Sequence, residues 1–133
     1  MVYKESPAAT IFWDQADGIA TIEWRAYADG ADYRNILSAL VDLMEQKSAS
    51  RLLVDNRRSK VVTPEDQAWV NTVWSPAANK AGLRYTAMLV PQSTVAKLSL
   101  DRMRSKYTPP KGGGTMTFTD IEEAREWLRA APR

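Results

Sequence analysis

The stretch Arg51 to Ala81, RLLVDNRRSKVVTPEDQAWVNTVWSPAANKA, constrains the fold of this chain more than any other. Leu52, Leu53 and Val54 make a short, nearly all-apolar run. That is the pattern of a strand buried on both faces in the middle of a sheet. A basic loop follows, and then Thr63-Pro64-Glu65-Asp66. This is a strong helix start: Thr63 caps, Pro64 takes the first helical position, and two carboxylates meet the positive end of the dipole. A second unit comes directly after it. Tyr85 to Val90 is another apolar strand, closed by Pro91, and Ser93 starts another helical pattern. This alternation predicts an α/β fold.

The flanking segments extend the pattern. Thr10–Asp14 and Ile19–Trp24 are β-rich and separated by Gln15-Ala16-Asp17-Gly18, which predicts a hairpin. Asp32 is the expected cap of a helix whose stripe is Tyr33, Ile36, Leu37, Leu40, Val41 and Met44. The helix after Thr63 carries Trp69, Val70, Val73, Trp74, Ala77 and Ala78, with Pro76 inside it, where a missing amide should kink or split it. Gly82 ends it. The helix after Ser93 has Ala96, Leu100, Met103 and Tyr107 as its stripe, and a proline- and glycine-rich loop, Thr108 to Gly114, leads to a last strand, Thr115–Phe118. Asp120 with Glu123 starts a final helix with Ile121, Ala124 and Leu128 inward. The expected order is β-β-α-β-α-β-α-β-α: one domain over residues 1–133, a mixed sheet with helices packed against it.

Composition excludes much chemistry. The chain has no histidine and no cysteine. Thiolate metal sites, disulfides and triads that need imidazole are therefore absent. The acidic residues show no calcium-loop spacing, so no metal and no cofactor is expected. Lys111 to Thr115, KGGGT, is not a phosphate loop, because its lysine precedes the glycines and a strand follows. No apolar run approaches the ~18 residues that span a bilayer. The N-terminus has no apolar segment of signal-peptide length. A cytoplasmic protein without an integral membrane segment is the expectation.

Charge is uneven. Residues 1–50 carry four basic and eight acidic groups, and residues 51–133 carry fourteen and eight. The basic excess gathers at Arg51–Lys60 and at Lys97–Lys111. A nucleic-acid footprint would be more basic, so no nucleic-acid partner is expected. A small anion or an acidic partner fits such a surface.

The segments LLVDNR, EDQAWV, WSPAANKAGL, TAMLVP and FTDIEEAREWL, in this order of elements, resemble the STAS-like domains. These are the fold group of bacterial anti-sigma-factor antagonists, related in shape to CRAL-TRIO lipid-binding domains. The resemblance runs from about Thr10 to Arg129 and implies a single STAS-like α/β domain. It implies a non-catalytic regulatory or protein-interaction module. The antagonists carry a regulatory serine or threonine just after the central strand. Ser59 is the only hydroxyl in that region here, two arginines replace the family's Asp-Ser-Ser-Gly-like sequence, and no phosphorylation switch is expected.

Three readings of function remain. The first is the regulatory module, recognising a protein partner. The second is a carrier of a small acidic or lipid-like ligand in a pocket against the sheet. The third is an enzyme built on Asp55, Arg57 and Arg58. The candidate ligand- or partner-binding residues are Asp55, Arg57, Arg58, Ser59, Lys60 and Trp74; none is assigned as catalytic. Asp55 ends a central strand, where α/β sheets bind ligands, and it could equally bond loop amides or pair with Arg57. The arginines precede a helix N-terminus, a setting for an anion. Trp13, Trp24, Trp69, Trp74 and Trp127 supply core or interface area, and a homodimer using Trp13, Trp24 or Trp74 beside the hairpin edge is expected.

Overall fold

In a computed structural model, residues 1–106 and 113–132 are described. The expected stripe residue Tyr107 and the loop residues 108–112, with Lys111, lie outside them. Six strands form one sheet, β1 (Val2–Glu5), β2 (Ala9–Asp14), β3 (Ile19–Trp24), β4 (Arg51–Asp55), β5 (Tyr85–Leu89) and β6 (Gly114–Phe118), arranged in chain order. β1, β2 and β3 pair antiparallel, while β3 to β6 are parallel neighbours. The mixed α/β sheet is the expected one, with β1 as an additional strand. β1 is an edge strand whose side chains stay largely in water. It therefore lacks the apolar alternation by which a half-buried strand is read. It also covers the outer edge of the hairpin, which is not open.

The helices are α1 (Gly30–Lys47), α2 (Pro64–Trp69), α3 (Ser75–Ala81), α4 (Thr94–Ser105) and α5 (Ile121–Ala130). Two cores lie on opposite faces of the sheet. Alternation along the strands decides the face of each side chain. Ala20, Ile22, Trp24 and Leu52 point to the core under α1, α3 and α4. Ile19, Leu53, Ala87 and Leu89 point to a smaller core closed by Ala124 and Leu128 of α5. β4, read as buried on both faces, has Leu52 and Leu53 fully buried on opposite sides.

Two local expectations need correction. α1 begins at Gly30, not after Asp32, and its N-cap position, Asp29, makes no side-chain cap. The Gly30 amide instead donates to Asp66 Oδ2 of α2 at 3.0 Å. A partner supplied by another helix is invisible to local capping rules. The second correction concerns Pro76. The backbone stays helical from Pro64 to Ala81, and what interrupts the regular pattern is a π-helical turn, Val70–Trp74, between α2 and α3. Pro76 has no amide to give, and the preceding amide, Ser75, reaches back five residues to the Val70 carbonyl. The wider turn rotates the stripe. Val70, Ser75 and Ala78 are buried, whereas Val73 and Ala77 are exposed.

Arg51, counted above within a basic concentration, is buried. Its guanidinium donates to the carbonyls of Asp17 at 2.8 Å, Arg129 at 3.3 Å and Ala131. It ties the hairpin turn to the C-terminus of α5, where a cation suits the helix dipole.

Candidate functional site

β3, β4 and β5 end at the same edge of the sheet, and the loops that leave them diverge toward α1, α2 and α4. Above the helix-side face of these strand ends lies an apolar pocket of about 120 Å³. Its floor is Ile22, Leu52, Val54 and Met88. One wall is aromatic: Trp24 and Tyr33 stack with centroids 5.2 Å apart and planes 17° from parallel. The π turn supplies Val70, Asn71 and Trp74. Trp74 is fixed there by its indole N–H, which donates to the Leu37 carbonyl at 2.7 Å. Leu100, Met103 and Arg104 of α4 close the far side. Apolar lining with a few convergent polar groups is the usual character of a small-molecule site.

The polar groups are specific. Asn56, just past β4, is 2 % exposed, and its Nδ2 has no hydrogen-bond partner among the described residues. Asn71 donates through Nδ2 to the Met103 carbonyl at 3.0 Å, which fixes its amide, and its buried Oδ1 has no partner among them. A buried amide atom left unpaired costs about 1–3 kcal/mol. Both residues line the one pocket. Lys60 and Arg104 line the same pocket, and neither has a carboxylate partner among the described residues. The loop that carries Lys60 is held by Ser99, whose hydroxyl accepts the Val62 amide at 3.1 Å.

A second, smaller cavity of about 80 Å³ shares Asn56, Met88, Leu100 and Arg104 with the first. It is bounded by Val90, Pro91 and Thr117, and by Lys97 and Asp101, which pair with each other at 2.9 Å.

Three of the six sequence-predicted residues meet at the pocket: Ser59, Lys60 and Trp74. Ser59 is buried and its Oγ donates to the Asn56 carbonyl at 2.9 Å, so its hydroxyl shapes the loop. Asp55 and Arg57 form a separate pair. The Asp55 carboxylate accepts the Arg57 backbone amide at 3.1 Å, its Nε at 3.0 Å and a terminal guanidinium nitrogen at 2.8 Å. Those bonds hold the Arg57 guanidinium above its ordinary pKa. Arg58 is exposed and does not line the pocket. Trp13 and Trp24, offered above for a dimer contact, are core residues 5 % and 8 % exposed.

Asn56, Asn71, Tyr33, Met88 and Arg104 were missed. Asn56 stands inside LLVDNR, beside charged residues whose signal is stronger. Asn71 is a polar residue between Val70 and Val73, and its inward position depends on the π turn. Among the described residues, no group of three acidic side chains could hold a metal ion, and no helix is long and apolar enough to cross a membrane. Compared with protein-family models, with curated proteins and with solved structures, the chain matches none.

Proposed function

We propose that this chain is a non-catalytic, STAS-like binding domain that takes a small, largely apolar molecule into the pocket between β3–β5 and the helices. The observation that carries this reading is an apolar pocket at the strand ends lined by Asn56 and Asn71, each of which has a buried amide atom with no partner among the described residues. A well-packed core would exclude such atoms or pair them. The π turn adds support, since such turns cluster at functional sites and this one supplies Val70, Asn71 and Trp74 to the wall. Catalysis at Asp55 has less behind it, because both of its oxygens are engaged by Arg57.

The test uses methionine methyl groups as reporters. Met88 and Met103 line the pocket, while Met1 and Met116 are exposed elsewhere. In ¹³C-methyl-methionine protein titrated with toluene, the Met88 and Met103 signals should shift saturably and the Met1 and Met116 signals should not. No shift at Met88 and Met103 removes the reading.

The regulatory-module reading draws on Val95 and Leu98, which are 60 % and 53 % exposed three residues apart on one face of α4. A second copy of the chain is the partner at hand. Sedimentation equilibrium across a dilution series tests it, and association that Leu98→Glu abolishes would favour it.

A further inference from the structure

We propose, resting on the pocket reading above, that the guest is a small carboxylate with an apolar body about one ring in size, and that its anionic end sits between Asn56 and Arg104. Both residues line the apolar pocket and the second cavity, so they stand where the two spaces meet. The apolar side sets the size of the body: an engineered cavity of about 150 Å³ admits benzene, and this pocket measures about 120 Å³.

The shared wall sets the sign of the charge. Asn56 carries a buried N–H donor that has no partner among the described residues. Arg104 brings a guanidinium that no described carboxylate neutralises, and the nearest acid on its helix, Asp101, is held by Lys97. Lys60 adds a second cation at the pocket. An amide N–H and a guanidinium fork lining the same two cavities suit a planar two-oxygen anion. The strand ends that carry Asn56 and Val90 are the edge where parallel sheets take ligands. The arginines of the Asp55–Ser59 loop do not serve here: Arg57 is committed to Asp55 and Arg58 lies outside the pocket.

Isothermal titration of the full chain with phenylacetate, 2-phenylethanol and phenyl phosphate tests this. Phenylacetate should bind at least tenfold tighter than 2-phenylethanol. Arg104→Gln should remove that preference, Asn56→Ala should reduce it, and Arg58→Gln should leave it intact. Thermal melts of each variant check that the fold survives. If Arg104→Gln does not fold, a salt titration of the wild type decides, since the preference for the acid should fall as ionic strength rises. Equal affinity for acid and alcohol overturns the inference, and so does tighter binding of phenyl phosphate. In either case a saturable toluene shift at Met88 and Met103 leaves the pocket reading standing. If neither phenylacetate nor toluene binds, both fall.

Discussion

Asp66, in the first turn of α2, accepts a hydrogen bond at 3.0 Å from the backbone amide of Gly30, the first residue of α1. Its other oxygen accepts the Arg34 Nε at 3.3 Å, and the Arg34 guanidinium lies 5.5 Å from the centre of the Trp69 ring. One carboxylate, 1 % exposed, thus caps its neighbour helix while the Thr63 hydroxyl caps its own. Of the two helices so joined, α1 lines the pocket through Tyr33, Leu37 and Leu40, and α2 leads into the π turn that supplies Val70, Asn71 and Trp74.

Removing that carboxylate leaves the Gly30 amide without its cap. Asp66→Ala is expected to cost about 2 kcal/mol, mostly from the lost cap and the buried donor. The ion pair adds little, because the Arg34 side chain is 40 % exposed. Urea unfolding measures this. A midpoint equal to that of the wild type would mean that Asp66 is not what joins the helices.

A second prediction concerns the loop over the pocket. Ser99 is fully buried; its Oγ accepts the Val62 amide at 3.1 Å and donates to the Ala96 carbonyl at 2.9 Å. Ser99→Ala keeps the packing and strands the Val62 amide. A stability loss of about 1–3 kcal/mol is expected. Hydrogen exchange at Val62 should accelerate while α5 keeps its protection. Unchanged exchange at Val62 would show that the loop is held by something else.

What the sequence made legible was local. The capping residues Thr63 and Ser93 each accept the amide three residues on, and Asp120 caps its helix through the Glu122 amide in place of the Glu123 amide of a capping box. The run Leu52 to Val54 is the central strand. What it hid depends on chain segments far apart. The Asp66–Gly30 cap joins residues 36 apart. The misassigned stripe of Val73 and Ala77 follows from one π turn, which shifts every later side chain by a fraction of a turn. The site suffered most. Charge points to Asp55, Arg57 and Arg58, but Asp55 and Arg57 neutralise each other once folded, and Arg58 is exposed outside the pocket. Uncharged Asn56 and Asn71 keep atoms without a partner among the described residues, and a sequence does not display pairing.

The start of β6 supplies a third prediction. A Cβ placed on Gly113 would lie 2.1 Å from the Arg84 carbonyl oxygen. Gly113 is needed for space, not for an unusual backbone angle. Next to it, the Gly114 amide donates to that same carbonyl at 2.9 Å, and a Cβ on Gly114 meets nothing within 4 Å. Gly113→Ala should therefore cost about 1–3 kcal/mol through displaced backbone. Gly114→Ala should stay within about 0.5 kcal/mol. Thermal melts of the pair decide, and a Gly113→Ala variant as stable as its neighbour would place β6 differently.

Tyr33 carries the pH prediction. It is 6 % exposed, stacks on Trp24, and has its phenol pushed above the ordinary range, first by burial and then by the Asp66 charge. The unfolded chain ionises this phenol near pH ~10, whereas the folded chain still holds the proton. Above that pH the folded state binds more protons, so stability must fall as pH rises. The contribution is intact below about pH 10 and declines from there toward the folded pKa. Tyr33→Phe has no proton to lose at this position. In urea unfolding between about pH 9 and about pH 11, the wild type should lose stability faster than Tyr33→Phe, with the gap opening only in the upper half of that range. Parallel curves would mean that the phenol ionises as readily in the folded protein as in the unfolded one, and that the Trp24–Tyr33 wall is open to water.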